Sequence, residues 1–181
     1  IMFTDIAGYT QAMSESEQKA LEMLRKKRTI IKTLIDNYDG KYVKEIVDGT
    51  LSYFESGYNA STCAKELQKL VKTEDLNVRV GIHIGDIVFD NDDVYGDGVN
   101  VAARLESLAQ PGGITLSKSV YDLVNKKTRF LFNDLGEQTV KSNKFHAFDV
   151  ILDTTKKRIT KKKQKNKLKI YQGLILIVVL L

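Results

Sequence analysis

The residues that could do chemistry fall in a few short stretches of a 181-residue chain. Asn100 and Arg104 stand four apart behind Asp93-Val94-Tyr95-Gly96-Asp97-Gly98, so on a helix they project as one pair. An amide and a guanidinium beside a glycine-rich turn can clamp an oxyanion, although an ordinary surface helix with a solvated Arg has the same spacing. Gly98 is expected to free the backbone where that helix begins. Val101, Ala102, Leu105 and Leu108 then recur at the spacing of a buried face. Near the N-terminus Asp5 ends an apolar run, and Ile6-Ala7-Gly8-Tyr9-Thr10 makes a turn of mostly small residues before a helix. Such a turn leaves N–H groups free for phosphates, and a carboxylate beside them suits Mg²⁺. A plain turn fits the same residues. Asp48-Gly49, between Lys41–Val47 and Thr50–Phe54, is a strong hairpin signal, so Asp48 reads as readily as a turn former.

Other reactive side chains carry less. Cys63, the single cysteine, lies on the apolar stripe Ala60, Cys63, Ala64, Leu67, Leu70 and Val71 and reads as a core thiol. His83 falls inside an alternating strand, Val78–Ile84, where a structural role outweighs a general base. His146 has no evident partner.

The elements that must position these residues follow from periodicity. A strand from Ile1, a long helix after the capping pattern Ser14-Glu15-Ser16-Glu17, the hairpin at Asp48, a helix over 56–73 and a strand at 78 come in that order. The long helix carries Leu21, Leu24, Arg28, Ile31, Ile35 and Tyr38 at helical spacing, and its lysines read as a solvated face. The loop Asp90-Asn91-Asp92-Asp93 is acidic and short. Gln110-Pro111-Gly112-Gly113 stops the signature helix, Ile114–Leu116 returns to the sheet, and Phe130–Phe132 and Phe145–Val150 close it. Hairpins among helices predict an α+β fold with a mixed or antiparallel sheet and helices packed on it.

Composition is that of a globular protein, 43% hydrophobic and 28% charged. The net charge of +5 comes from a run between Lys156 and Lys169. Leu174–Leu181 behind it is wholly apolar, too short to span a bilayer but like the first half of a transmembrane helix. Lysines flanking a span keep their side cytoplasmic, and the apolar run directly behind them argues against a nucleic-acid tail. The expected organisation is a domain over 1–152, a basic linker over 153–172 and the start of a membrane helix at 173–181. The chain reads as a piece of something longer, held at the cytoplasmic face of a membrane.

Taken together, Asp5-Ile6-Ala7-Gly8, Val47-Asp48-Gly49, Gly81-Ile82-His83, and Asp93 followed by Asn100-x-x-x-Arg104 and Pro111-Gly112 resemble, in order, the motifs of the class III nucleotidyl cyclases, the adenylate and guanylate cyclases. The resemblance covers about residues 2–150. It implies a ferredoxin-like core and two Mg²⁺ (or Mn²⁺) held by Asp5, the Ile6 carbonyl and Asp48, with Ala7, Gly8, Tyr9 and Thr10 around the triphosphate. It implies that Asn100 orients the ribose and Arg104 stabilises the α-phosphate. Lys44 and Asp93 fall where the family reads the purine. An ammonium donating to N1 and a carboxylate accepting from a 6-amino group favour ATP over GTP. Lys141, in a Gly136-Glu137…Lys141 segment, is implied at the terminal phosphates, with Lys144 competing. The implied activity is adenylate cyclase, forming cyclic AMP and pyrophosphate at a homodimer interface. A guanylate cyclase, or a silent cyclase fold that binds nucleotide or a partner, is the alternative. The family usually places Gly before the second Asp. Val47 stands here, so the loop is expected to reach the metals in another backbone conformation.

Overall fold

The computed structural model describes residues 1–91, 93–140 and 143–153. Four strands and two long helices form its first half: β1 (Met2–Ile6), α1 (Tyr9–Glu15), α2 (Glu17–Asn37), β2 (Gly40–Ile46), β3 (Gly49–Phe54), α3 (Gly57–Thr73) and β4 (Val78–Ile82). A small hairpin follows, β5 (Val88–Asp90) and β6 (Asp93–Tyr95), leading into α4 (Asp97–Leu108). The chain then runs through β7 (Ile114–Ser117), α5 (Lys118–Val124), β8 (Leu131–Val140) and β9 (Asn143–Ile151).

The main sheet has the order β2-β3-β1-β4-β7-β9-β8, with β5-β6 as a separate pair. Its first four strands carry the βαββαβ connectivity of a ferredoxin-like core. Among the described strands β4–β7 is the parallel pair and the rest are antiparallel. The α+β fold with mixed pairing expected from the sequence is therefore the fold observed, and the pairing is mostly antiparallel.

Strand alternation divides the side chains between two layers. Met2, Val78, Val80 and Ile82 face the core under α2, α3 and α5, with Ile31, Leu34, Ile35, Cys63 and Leu67. Burial pushes the Cys63 thiol up to about 12, so it holds no reactive thiolate at neutral pH. Phe3, Asp5, Arg79 and Gly81 alternate with that set and face the α4 side. A Cβ at Gly81 would lie 2.2 Å from the Ala102 carbonyl and from the Glu106 amide, so glycine is what lets α4 lie close on β4.

Several boundaries differ from the sequence reading. Ser16, not Ser14, caps α2, accepting from the Lys19 amide. The turn of the β2–β3 hairpin is Val47-Asp48, because Gly49 already pairs with Ile46. His83 and Ile84 lie beyond the end of β4. Leu70 is exposed, and Gln68 takes a buried place on α3 by donating to the Val78 and Gly113 carbonyls. At α4 the left-handed residue is Gly96, φ 143°, rather than Gly98. The Gly136 segment continues β8, with an irregularity between Asp134 and Gly136. His146 has a partner after all, Asp134, at 2.6 Å. Lys141 and everything after residue 153, including the basic linker and apolar end, lie outside the described residues. No helix among the described residues is long and apolar enough to cross a membrane.

Candidate active site

Asp5, Ile6 and Asp48 converge at one end of the sheet. β1 runs beside β3 with Thr4 opposite Thr50, which brings the end of β1 against the hairpin tip. The Ile6 amide donates to Asp48 Oδ2 at 3.2 Å. The Asp48 carboxyl is close enough to raise that of Asp5. Two carboxylates in contact repel once both are ionised. Burial pushes the Asp5 carboxyl up to about 7, the neighbouring Asp48 and then Glu106 adding to the rise and Arg79 opposing it.

Glu106 of α4 forms the floor. It is buried, its Oε1 accepts no hydrogen bond, and its carboxyl is raised mainly by burial. Arg79, opposite Asp5 in the β1–β4 ladder, lies 3.4 Å from Asp5 and 3.8 Å from Glu106. Lys27 of α2 is fully buried, and its Nζ donates to the backbone carbonyl of Asp48. Burial pushes its ammonium down to about 8, against the pull of Asp48, Asp5, Glu45 and Glu106. The reading of α2's lysines as a solvated face fails at this one. The signal was in the sequence: Lys27 shares the helical stripe of Ala20, Ile31 and Leu34, all buried.

This acidic pocket fits divalent cations. Among the described residues no group of three or more His, Cys, Asp or Glu side chains is set to hold a metal. The site instead offers two carboxylates and the Ile6 carbonyl, a set that suits Mg²⁺, which takes one or two carboxylates and fills its shell with phosphate oxygens and water.

Val47 is left-handed in the hairpin turn. It adopts φ 59°, the left-handed conformation that glycine adopts freely, and a β-branched side chain there is strained. The side chain is 75% exposed, so truncating it forfeits little packing. Val47→Gly is therefore expected to stabilise the protein by about 1 kcal/mol, the relief of left-handed strain exceeding the added chain entropy. That corresponds to a rise of roughly 2–4 °C in Tm for a chain of this size. Thermal unfolding checks it, and a lower Tm would deny the strain.

The small-residue turn is part of the same end of the sheet. Gly8 is left-handed at φ 84° and precedes α1 with no side-chain cap, so the first-turn N–H groups from Tyr9 and Thr10 onward have no intrahelical partner. Ala7 differs, its amide already donating to the Asn77 carbonyl at 2.8 Å. Tyr9 is buried against Ile6, Ala12 and Ala20.

The purine-reading candidates also meet. Lys44 of β2 pairs with Asp93 of β6, while Asp93 Oδ1 accepts from the Val94 amide at 2.8 Å. The hydrogen bond from Lys44 holds the Asp93 carboxyl below its ordinary range. The Lys44 ammonium also lies 5.7 Å from the Tyr95 ring centroid, a neighbour that spacing did not single out. On α4, Asn100 is exposed and Arg104 half-buried. Arg104 Nη1 is enclosed yet has no hydrogen-bond partner, and among the described residues neither side chain bonds to Asp5 or Asp48.

A ferredoxin-like sheet with two acids meeting at its end and an Asn–Arg couple on α4 is the architecture of a nucleotidyl cyclase domain. The sequence model of the "Adenylate and Guanylate cyclase catalytic domain" family matches residues 1–160, and the chain belongs to that family. A protein of Rhizobium meliloti, "Putative adenylate cyclase 3", is 34% identical over 151 residues, covering 78% of this chain and 26% of its own length. Guanylate cyclase 32E of Drosophila melanogaster is 27% identical over 167 residues, covering 78% and 14%. This chain thus spans about a quarter or less of these relatives. Among solved structures, an adenylate/guanylate cyclase/hydrolase from Silicibacter pomeroyi superposes with a TM-score of 0.75 at 34% identity, covering 82% of this chain and 94% of that one.

Proposed function

We propose that this cyclase domain is an adenylate cyclase, converting ATP to 3′,5′-cyclic AMP and pyrophosphate at the interface of a symmetric homodimer. The observation that carries the reading is the split site. Asp5 and Asp48 are neighbours within the chain, whereas α4 presents an exposed Asn100 and a half-buried Arg104 that, among the described residues, bond to neither acid. A second copy related by a two-fold axis supplies two complementary halves at once.

In this reading Asp5, Asp48 and the Ile6 carbonyl hold the divalent cations. When bound, these cations neutralise the triphosphate and make the ribose 3′-hydroxyl easier to deprotonate. The α1 turn at Gly8, Tyr9 and Thr10 cradles phosphate oxygens with its free amides. Ala7 contributes shape rather than an N–H. The twin's Asn100 orients the ribose, and the twin's Arg104 meets charge developing on the α-phosphate. The twin also reads the purine, its Lys44 donating to adenine N1 and its Asp93 accepting from the 6-amino group. Their ion pair holds the two side chains together. A place for the domain on the cytoplasmic face of a membrane is supported by the lysines of 156–169 and the apolar residues 174–181.

Incubation with Mn²⁺ and either ATP or GTP, followed by identification of the product, tests the reading. Cyclic AMP is expected from ATP, with GTP a poor substrate. The double variant Lys44→Glu, Asp93→Cys, which reverses the hydrogen-bonding polarity, is expected to move the ATP:GTP preference by roughly 10²-fold or more towards GTP. Equal cyclisation of both nucleotides by the wild type would remove the adenine assignment. The strain at Val47 favours one rival, a silent nucleotide-binding domain, which forms no product at any metal concentration.

A further inference from the structure

We propose that Lys27 is a positioning residue for the metal-holding hairpin tip, its buried ammonium fixing the Val47-Asp48 turn so that the Asp48 carboxylate meets Asp5. The inference rests on the reading of Asp48 as a metal ligand and adds a residue that no motif of the sequence assigns. Lys27 sits in the middle of α2, 0% exposed, and burying a lysine there is unfavourable unless its head is paired. Among the described residues its hydrogen bond reaches across to the Asp48 carbonyl. The Ile6 amide holds the Asp48 carboxylate from the other side, so the residue is gripped at both its backbone and its side chain.

The tip needs such a grip. A valine at φ 59° lies in a conformation that relaxes once nothing enforces it. α2 itself is braced against the hairpin by Arg28, which makes a bidentate contact to Glu45 of β2 at 2.6–3.0 Å. The next residue, Lys27, is thereby delivered to the tip on a rigid element. A positive charge behind Asp48 also offsets the carboxylates of Asp5, Asp48 and Glu106, which keeps the acid pair together before cations arrive. Lys27 touches no substrate. It acts through Asp48.

The test is Mn²⁺ binding by the full chain, followed as loss of the free-ion EPR signal, for wild type, Lys27→Met, Asp48→Asn and Lys27→Met combined with Val47→Gly. Methionine keeps the length and helix preference and removes the donor. Lys27→Met is expected to weaken Mn²⁺ binding by roughly 10–100-fold, as loss of a supporting residue behind a metal ligand does. The Mn²⁺ concentration for half-maximal ATP turnover should rise in step, while turnover at saturating Mn²⁺ stays within about 3-fold of wild type. Glycine at position 47 takes the left-handed conformation without strain, so the double variant should recover most of the lost affinity. Should Lys27→Met not fold, Lys27→Gln serves, with the same direction expected. Wild-type Mn²⁺ binding by the Lys27 variant beside a defective Asp48→Asn overturns the proposal alone. A loss that Val47→Gly leaves unrelieved overturns the tip-holding role. Unimpaired binding by Asp48→Asn overturns the metal site itself, and this inference with it.

Discussion

Mixing Asp5→Ala and Arg104→Ala proteins is expected to restore ATP turnover that neither has alone. Asp5 and Arg104 make no hydrogen bond or ion pair with each other within the chain, and Arg104 Nη1 is enclosed without a partner. If one chain's acids face its twin's α4, Arg104→Ala empties both sites of the group that meets α-phosphate charge. Turnover then falls by about 10²–10³ while ATP still binds through the acids and the purine readers. Asp5→Ala empties both sites of a metal ligand. In a mixed dimer the two lesions fall in the same site and leave the other complete. Random exchange makes half the dimers mixed, each with one good site, so about a quarter of wild-type turnover should return. Turnover that stays at the level of the separate variants would place both residues in one chain's site and exclude the shared arrangement.

Asp5→Asn should remove activity and strengthen the fold in the same step. Losing one of two carboxylate ligands removes several kcal/mol of charge stabilisation, a fall of about 10³ or more in turnover. The metal-free fold, in contrast, is burdened by that carboxylate. Its folded value of about 7 lies above the ordinary 3.8, with burial the largest cause and Asp48 next. Between roughly pH 4 and pH 7 the folded protein therefore keeps a proton that the unfolded chain releases, and metal-free stability falls as pH rises through that window. Above it the penalty is complete. Asparagine carries no charge, so in EDTA at pH 8 the variant should be more stable than wild type by about 1–2 kcal/mol. That figure is discounted for the solvent that reaches the site. At pH 4 the two should nearly coincide. Urea unfolding at both pH values measures this, and a variant no more stable at pH 8 would mean that the carboxylates do not crowd each other. Sites that sacrifice stability for ligand binding commonly show this trade.

The chain's order of residues by itself determined the elements and their sequence along the chain. Apolar periodicity, Ser56 before α3, Asp39-Gly40 after α2 and Pro111-Gly112 after α4 are local signals, each set by the conformational preferences of a few neighbours. The family resemblance of the motifs likewise brought forward Asp5, Asp48, Lys44 and Asp93, and the fold brings these together in pairs. Even local chemistry misplaced the hairpin turn by one residue, because Asp48-Gly49 is a strong turn signal and the pairing of Ile46 with Gly49 overrode it. What only the tertiary structure decided is which charges are buried and against what. Lys27 looks like its exposed neighbours until α2 crosses the hairpin tip, and Arg79 looks like any strand arginine until β4 lies beside β1, 74 residues from Asp5. Glu106 becomes an acid of the site because Gly81 lets α4 settle onto the sheet. Desolvation and charge pairing depend on distances across the fold, and no window of neighbouring residues contains them.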